Sequence, residues 1–455
     1  MQLPSASILR QYLAAFISSL TLFCAGNCYT WITPLLYRLK EPDSEIPLTA
    51  DQGSWVVALI EVGNLITPIP AGFLVDLWGR KIMLWLTGPI YIFTWILALS
   101  TRSVITLYFM RTVQGMAMSV QFTVLPMYLG EISGPKLRGA LSSFFQGMWY
   151  LGVLYEYSVG AFFDYEGLTW FSIAPPVIFV VLFLWCPESP YYLVMKGRQE
   201  EAAKALSWLR ATTPDSPELL QELQQMQTSI QEEKEQKGNW RDILGTREGR
   251  KALFLVQTVA VTEIMSGLTT IIVYVSETFA RTSGDPHMAD VFTIVLGGLL
   301  FLVTLVTAVL VDKVGRRPLI LISSFGGSAC LFLAALYYIL DELPSVDTST
   351  IQWLPYIAII GFMCLISLGV GALLPALQSE FFPNSTRGIA SGITILNITL
   401  MSFMCLKLYQ VIEDSVGLYL NYCLFFISSL IGSVLIFFFL PETKGKTFAE
   451  IQKMM

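Results

Sequence analysis

The sequence has 455 residues, of which 54% are hydrophobic and only 14% are charged, and its formal net charge is −6 at pH 7. A soluble domain carries about 25% charged residues, so this composition excludes an ordinary water-soluble globular protein. The negative charge argues against nucleic acid as a partner, and a single histidine, His287, excludes a histidine-based metal site or catalytic triad.

Twelve long apolar runs follow one another along the chain, and a run of about 18 or more apolar residues predicts a membrane-spanning helix. The first run is too long to be a removable signal peptide and lacks a small-residue cleavage site, so it is predicted to be the first span. We therefore predict an all-α membrane protein with twelve spans, in chain order 11–36, 55–75, 82–99, 104–129, 141–163, 169–186, 252–279, 291–311, 319–340, 353–379, 389–411 and 418–440.

The distribution of lysine and arginine predicts the orientation, because basic loops resist translocation across the membrane. With the N-terminus in the cytoplasm, the inner side collects most of these residues, including all those between 196 and 251, while the outer loops are mainly acidic. Both termini are therefore predicted to be cytoplasmic. The plasma membrane is the expected location, with an endosomal or lysosomal membrane as the alternative.

The longest polar stretch divides the spans six and six. We predict an N-terminal six-helix bundle (1–186), a cytoplasmic helical linker (187–251) and a C-terminal six-helix bundle with a short cytoplasmic tail (252–455). In the linker, Ser216 followed by Pro217 is a helix start. The residues from Asp215 to Leu220 also match a loose acidic-dileucine sorting pattern, for which an ordinary pair of helical leucines is the alternative interpretation.

Charged motifs recur at matching places in the two halves. VDLWGRK (75–81) lies between spans two and three, and VDKVGRR (311–317) lies between spans eight and nine. Two further pairs share a spacing or a position: Glu131 with Arg138 and Glu380 with Arg387, each seven residues apart, and Glu188 and Glu442, each following the proline that closes a half. These repeats predict an internal duplication of a six-helix unit, which is typical of transporters.

Six motifs along the chain resemble the sugar porter family of the major facilitator superfamily. They are D-x-x-G-R-K at 76–81, R-x-x-x-G at 111–115, P-x-Y-x-x-E at 126–131, PESP at 187–190, GRR at 315–317 and PETKG at 441–445. The stretch LTADQGSW (48–55) is similar to the facilitated trehalose transporter branch. The resemblance implies no enzyme activity and no cofactor. It implies a carrier, functional as a monomer in a lipid bilayer, that moves a small molecule such as trehalose or a monosaccharide by alternating access.

The charged motifs are predicted to form an inner gate, because a network of carboxylates and guanidiniums can bias one conformation by a few kcal/mol. Topology anchoring by positive charge is the alternative, although it does not explain the paired acids. The predicted gate residues are Asp76, Arg80, Glu131, Arg138, Glu188, Asp312, Arg316, Arg317, Glu380, Arg387 and Glu442.

The resemblance also implies substrate contacts on spans five, seven, ten and eleven, at Gln146, Glu263, Thr269, Thr270, Tyr274, Pro375 and Asn397. Here the chain departs from the family pattern, with Glu263 in place of an amide and Pro375 in place of a tryptophan. An ionised glutamate only accepts hydrogen bonds, whereas glutamine also donates. Another sugar, a polyol or another small polar solute therefore stays open as cargo.

Glu61, Arg111 and Glu263 are ionisable residues inside predicted spans, where such residues mark function by default. Glu61 and Arg111 both lie about 10 Å from the outer surface by helical rise, so they are predicted to pair, either statically or as part of proton coupling. Glu263 lies near the midplane and is a candidate substrate contact or proton site, with a packed, protonated glutamate as the alternative. A proton-coupled transporter and a sensor that binds sugar without moving it are the competing functions.

Overall fold

The computed structural model describes residues 5–134, 137–235, 239–444, 446, 450–451 and 454, and these residues fold into helices joined by short turns, without a strand. The helices before the second half of the chain are α1 (Ser5–Thr30), α2 (Leu36–Leu39), α3 (Ala50–Ile66), α4 (Pro68–Trp78), α5 (Arg80–Ser100), α6 (Val104–Ile132), α7 (Arg138–Phe162), α8 (Tyr165–Phe183), α9 (Pro190–Met195), α10 (Gln199–Arg210), α11 (Pro217–Glu235) and α12 (Trp240–Gly245). Those of the second half are α13 (Arg247–Met265), α14 (Leu268–Ser283), α15 (Pro286–Val314), α16 (Arg316–Asp341), α17 (Leu354–Leu368), α18 (Val370–Phe381), α19 (Asn384–Ser415) and α20 (Leu418–Phe439).

Every predicted span coincides with one long helix or with a broken pair of helices. Within the described residues, nine helical segments are long and apolar enough to cross a membrane, or ten if α3 and α4, bent by 51° relative to each other, form one span. Predicted spans four and five coincide with α6 and α7. The all-helical prediction is confirmed for the described residues, and the count of twelve spans stays a prediction.

Two predicted spans of the second half are broken near their middle. The chain leaves α13 through Gly267, whose φ of +91° is a conformation that residues with a side chain rarely adopt, and restarts as α14. Gly369 separates α17 from α18, and a side chain there would meet the backbone oxygen of Leu319 at 2.5 Å. Breaks of this kind occur at membrane depth where the backbone lines a cavity or is buried in protein.

The chain divides into two compact units. Unit 1 comprises Met1–Cys28, Gly63–Val153 and Glu166–Lys237, and α6 packs in it against α4 and α5. Unit 2 comprises Tyr29–Val62, Leu154–Tyr165 and Gly238–Met455. In unit 2, α13 packs against α18, α19 and α20, while α16 packs against α17 and α20. The predicted bounds of the two six-helix bundles and the linker stay a prediction.

The polar stretch before residue 237 forms a small helical cluster in unit 1. The Ser189 side chain caps α9 by accepting a hydrogen bond from the Tyr192 N–H at 3.2 Å, and Pro190 occupies the first helical position. Helix α11 begins at Pro217, so the predicted helix start is confirmed. Apolar side chains of α9, α10 and α11 share a buried core that includes Leu219, whereas Leu220 is 53% exposed.

Candidate functional site

The first charged cluster lies in unit 1 and consists of Asp76, Arg80, Glu131 and Glu188. Arg80 is 3% exposed, and its guanidinium donates to Glu131 Oε1 from Nη2 at 3.0 Å and from Nε at 3.1 Å. Its Nη1 lies 3.3 Å from the exposed carboxylate of Asp76. The Glu131 carboxylate also accepts a hydrogen bond from the hydroxyl of Ser189. The cluster therefore ties the ends of α4, α5 and α6 to the start of α9.

Glu188 binds the start of α5 through the backbone. Its two carboxylate oxygens accept from the Lys81 N–H at 3.0 and 3.1 Å, and Oε1 accepts from the Ser189 N–H at 2.7 Å. Free N–H groups at a helix N-terminus favour a carboxylate. Gly79, with φ of +95°, leaves the space for it, because a Cβ there would lie 2.3 Å from Glu188 Oε2.

Burial and neighbouring donors shift the pKa of the two partly buried acids of this cluster in opposite directions. Burial raises the pKa of Glu131, and the positive charge of Arg80 works against that rise. Burial also raises the pKa of Glu188, and the N–H donors of Ser189 and Lys81 work against it. In both carboxylates, the neighbouring donors therefore oppose the effect of burial on the pKa.

The second charged cluster lies in unit 2 and repeats the first with Arg316, Glu380 and Glu442. Arg316 Nε lies 3.0 Å from Glu380 Oε1. Glu442 accepts from the N–H groups of Arg316 at 3.2 Å and Arg317 at 3.1 Å, at the start of α16. Gly315, with φ of +102°, occupies the position of Gly79, and a Cβ there would lie 3.1 Å from Glu442 Oε2. The predicted duplication thus extends to hydrogen-bond geometry.

The two clusters differ in completeness. Thr443 holds the place of Ser189, but its hydroxyl is buried and has no hydrogen-bond partner among the described residues. The same is true of Glu380 Oε2, whereas Glu131 uses both oxygens. Arg316 and Glu380 are also about one-fifth exposed, at 22% and 21%. Within the described residues, the second cluster therefore has a more exposed ion pair and fewer hydrogen bonds than the first.

The remaining predicted gate residues act on backbone carbonyls or fall outside the described part. The Arg317 guanidinium donates to the Phe437 carbonyl at 2.9 Å. Arg387 donates to the carbonyls of Ser379 at 2.8 Å and Phe382 at 3.3 Å, which caps the end of α18. The side chains of Arg138 and Asp312 lie outside the described residues. The prediction that these motifs also pair across the two halves stays a prediction.

Unit 2 contains ion pairs that the sequence did not indicate. Lys40 Nζ lies 2.5 Å from Glu277 Oε1 on α14 and 2.8 Å from Gln410 Oε1 on α19. Arg38 Nη2 lies 3.1 Å from Asp290 Oδ2 on α15. These contacts join the segment after α1 to helices of the second half. Arg38 and Lys40 were visible in the sequence as rare basic residues on the predicted outer side, but nothing in it identified their partners.

Three residues of the LTADQGSW motif contact a lysine of α19. Lys407 Nζ lies 2.6 Å from Asp51 Oδ1, 2.7 Å from Ser54 Oγ and 4.5 Å from the centre of the Trp55 ring. Asp51, Ser54 and Trp55 are neighbours on the surface of α3, because residues three and four apart share a helix face. We call this arrangement the Lys407 cage.

Glu263 lies on α13, close to both helix breaks of unit 2. Its Oε2 is buried and has no hydrogen-bond partner among the described residues. A Cβ on Gly371, at the start of α18, would lie 3.4 Å from Glu263 Oε1, so the glycine leaves room for the carboxyl group. An acid with an unused buried oxygen can bind a proton or a donor from a ligand.

Thr269 belongs to a hydroxyl network that ends on Glu61. The Ser402 hydroxyl lies 3.2 Å from Thr269 Oγ1 and 2.9 Å from Glu61 Oε1, which also accepts from the Tyr29 hydroxyl at 3.0 Å. In unit 1, Arg111 Nη1 donates to the Cys28 carbonyl at 2.6 Å. The predicted pairing of Glu61 with Arg111 stays a prediction.

The other predicted substrate residues differ in accessibility. Tyr274 is buried, its ring centre 4.5 Å from that of Tyr409 and its hydroxyl 3.1 Å from the Leu406 carbonyl. Thr270 is buried too, and its hydroxyl has no partner among the described residues. Gln146 on α7 is partly exposed, and Pro375 on α18 is exposed. Tyr274 therefore contributes to helix packing, whereas Gln146 and Pro375 present accessible surface.

Asn397 is hydrogen-bonded to a residue that the sequence did not single out. Its Nδ2 donates to Gln257 Oε1 of α13 at 2.6 Å, and Gln257 Nε2 donates to Thr394 Oγ1 at 2.8 Å. Nearer the start of α19, the Ser391 hydroxyl lies 3.0 Å from Gln378 Oε1 of α18. Gln257 was missed because it is one amide in an apolar run, six residues before the predicted motif.

Residues 13–455 match the family model described as "Sugar (and other) transporter". The chain belongs to this sugar transporter family. Its relatives include the facilitated trehalose transporters Tret1 of Bombyx mori, 27% identical over 97% of this chain and 86% of the relative, and of Aedes aegypti, 28% identical over 98% of this chain and 55% of the relative. The chain thus spans only about half the length of some curated relatives that it matches.

Solved members of the major facilitator superfamily share the fold of this sugar transporter family chain. An inward-open structure of the xylose transporter XylE from E. coli covers 97% of this chain and 98% of its own, with a TM-score of 0.79 at 19% identity. The proton:xylose symporter XylE bound to 6-bromo-6-deoxy-D-glucose covers 98% and 99%, with a TM-score of 0.77 at 19% identity. At this identity the likeness establishes the fold alone.

Proposed function

We propose that this chain is a facilitative sugar transporter that works by alternating access, with trehalose or a monosaccharide as cargo. Family membership and the trehalose transporters among its relatives support the substrate class. The proposal includes twelve spans in two six-helix bundles, a monomeric carrier in the plasma membrane and two cytoplasmic termini.

The observation that supports this mechanism is a set of ion pairs within unit 2. They join the predicted outer ends of helices from the first half of the sequence to helices from the second half. Lys40, Arg38 and Lys407 supply the cations of these contacts. A carrier that exposes its site on alternate sides must break such contacts to open outward and remake them to close. Each ion pair near the surface stabilises the closed conformation only slightly. Several such pairs together can shift the conformational equilibrium toward closure and still allow the carrier to open.

The two charged clusters have a different role in this scheme. Their described contacts lie within one half, where they hold helix ends and the start of α16 or α9 together. We propose that they keep the inner end of each half rigid while the halves move, and that contacts between the halves form around them when the inner side closes.

Cargo recognition is proposed to use the partly accessible polar groups among the predicted substrate residues. Glu263 and Asn397 offer a carboxylate and an amide from α13 and α19, and Gln146 offers an amide from α7. Polyhydroxylated solutes satisfy such groups by donating and accepting in pairs. Thr269, Thr270, Tyr274 and Pro375 are proposed to shape the site rather than to bind through charge.

Reconstitution into liposomes tests the proposal. Counterflow of labelled trehalose, D-glucose, mannitol and an amino acid should show accumulation of trehalose or a monosaccharide and none of the amino acid. Accumulation of the polyol alone, or of the amino acid alone, would show that this solute and not a sugar is the cargo. Saturable binding of a sugar without counterflow would instead identify a sensor.

A second candidate function, proton-coupled transport, is favoured by the buried Glu263 Oε2, which has no hydrogen-bond partner among the described residues. Charged residues also lie on the helices packed against α13. Glu380 lies near the end of α18, Arg387 lies near the start of α19, and Lys407 of α19 lies in the Lys407 cage. Uptake driven by an imposed pH gradient in the wild type, and lost in Glu263→Gln, would support coupling. Uptake that stays flat from mildly acid to neutral pH in both proteins would exclude it.

A further inference from the structure

Five uncharged polar side chains form two hydrogen-bonded groups, which lie one after the other along α19 in unit 2. Ser391, Thr394 and Asn397 of α19 follow one another at intervals of three, so each is a neighbour of the next on the helix surface. Gln378 of α18 meets the first, and Gln257 of α13 meets the other two. By helical rise the track is about 9 Å long, which matches one or two sugar rings. We call these residues the amide track.

The track retains unused hydrogen-bonding capacity. An asparagine or glutamine side chain has two N–H donors and a carbonyl oxygen with two lone pairs. In the contacts described, Asn397 donates once, and Gln257 donates once and accepts once. Gln378 accepts once, from Ser391. Each amide can therefore bind a further hydroxyl group without losing its present partner.

The exposure of the track indicates that it faces water. Gln257, Gln378, Ser391 and Asn397 are all partly exposed, and only Thr394 is buried. Polar side chains within membrane spans face the protein interior or a water-filled cavity, because lipid offers them no partners. A partly exposed row of amides at this depth is thus accessible to a dissolved solute.

We infer that the amide track binds a polyhydroxylated solute on the predicted cytoplasmic side of Glu263. Gln257 precedes Glu263 by six residues on α13, which places it about 9 Å nearer the predicted cytoplasmic end. A sugar released from the level of Glu263 exchanges hydrogen bonds with the track as it moves toward the cytosol. This inference rests on the proposed function. It extends the proposed cargo contact at Asn397 with four further residues, Gln257, Gln378, Ser391 and Thr394.

Hydrogen bonding between helices is the competing role, because amides and hydroxyls often join spans in this way. The two roles differ in which measurement they affect. A helix-joining role affects the unfolding temperature, whereas a binding role affects the apparent affinity for the solute on one side of the membrane only. Isosteric apolar variants separate them.

The test uses the full chain in sealed vesicles of known orientation, with trehalose, D-glucose and mannitol as probes. Half-saturation is measured from each side for the wild type, Gln257→Met and Asn397→Leu. A lost hydrogen bond corresponds to about a 2- to 10-fold weaker apparent affinity, and we expect this change on the predicted cytoplasmic side only. Ser328→Ala, which removes a hydroxyl 2.8 Å from Ser429 Oγ between α16 and α20, is the matched helix-joining control.

Each outcome decides between the alternatives. Half-saturation on the predicted cytoplasmic side that is unchanged from the wild type, or that changes equally on both sides, would overturn the amide track as a binding region, with or without a lower unfolding temperature. If both amide variants fail to fold, Thr394→Val, which leaves both amides in place, is measured in the same way and decides by the same criterion. A wild type that moves none of the three probes would overturn the proposed function, and this inference with it.

Discussion

The buried Arg80 pairs with the partly buried Glu131, and Arg316 and Glu380 form the more exposed counterpart of this ion pair at the same 3.0 Å separation. The difference in exposure, 3% and 14% against 22% and 21%, changes what each pair contributes. Removing one partner of a buried pair leaves an uncompensated charge in a medium that solvates it poorly. Water screens an exposed pair and solvates the partner that remains.

We therefore expect Arg80→Met to destabilise the protein more than Arg316→Met does. The loss should be about 3 kcal/mol for Arg80→Met and about 1 kcal/mol for Arg316→Met. Thermal unfolding in detergent, followed by tryptophan fluorescence, ranks the two variants. Adding Glu131→Gln to Arg80→Met should recover part of the loss, since the charge that remains without its partner is then Asp76, which is 60% exposed and solvated by water. Equal unfolding temperatures for the two single variants would contradict the assignment of Arg80 as the more buried partner.

Gly79 and Gly315 occupy equivalent turns, but they are not equally tolerant of a side chain. Both have positive φ, which costs a residue with a Cβ about 1–2 kcal/mol. A Cβ at Gly79 would also lie 2.3 Å from Glu188 Oε2, whereas at Gly315 the nearest atom, Glu442 Oε2, is 3.1 Å away. Gly79→Ala should therefore lower the unfolding temperature more than Gly315→Ala.

The matched control for this pair is Gly298→Ala in the interior of α15, where a Cβ would meet no atom within 4 Å. This variant should unfold at or slightly above the wild-type temperature, because alanine favours helix by about 0.5–1 kcal/mol. Destabilisation of all three variants to the same degree would mean that glycine itself, rather than the contact with the acid, determines the effect.

These two turns were predictable from the sequence because the same short motif occurs at matching places in both halves. A glycine, a basic pair and a later acid recur at matching positions, and each half folds them in the same way. The Lys407 cage and the Lys40 contacts could not be predicted in this manner. Lys40 and Glu277 are 237 residues apart, so their contact depends on the tertiary fold rather than on any local pattern.

Gln257 is one amide in an apolar run, and its partner Asn397 lies 140 residues later, so no local pattern identified this contact either.

Leu219 and Leu220 test whether the acidic-dileucine pattern of the linker acts as a sorting signal. Leu219 is 1% exposed in the core shared by α9, α10 and α11, so its side chain is unavailable to a sorting receptor while that core is intact. We expect Leu220→Ala to leave both stability and the amount of protein at the cell surface unchanged.

Leu219→Ala should instead weaken the linker by about 2–4 kcal/mol through the cavity that it creates. Limited proteolysis of the purified protein measures this directly, with faster cleavage between residues 190 and 235 expected for Leu219→Ala only. A large change in surface amount for the well-folded Leu220→Ala variant would support the sorting interpretation and contradict ours.

Lys407 provides the most direct test of the outer contacts, because its partners in the Lys407 cage come from the first half of the sequence. Lys407→Met removes an ion pair with Asp51, a hydrogen bond with Ser54 and a cation–π contact with Trp55. Asp51 is largely exposed, so the ion pair contributes little. The cation–π contact adds about 0.5–1 kcal/mol. Together we expect a loss of about 1–2 kcal/mol, which corresponds to about 5- to 30-fold in an opening equilibrium.

Hydrogen exchange of the backbone amides of residues 50–62 measures that equilibrium, since local opening sets the exchange rate. Exchange there should accelerate in Lys407→Met. Arg281→Met is the matched control, because Arg281 pairs with Glu413 between α14 and α19, both of the second half. Removing that pair deletes an outer cation of the same unit without releasing α3. Faster exchange of residues 50–62 in both variants would indicate general loosening of unit 2, whereas acceleration in Lys407→Met alone identifies the cage as a contact that opens with the outer side.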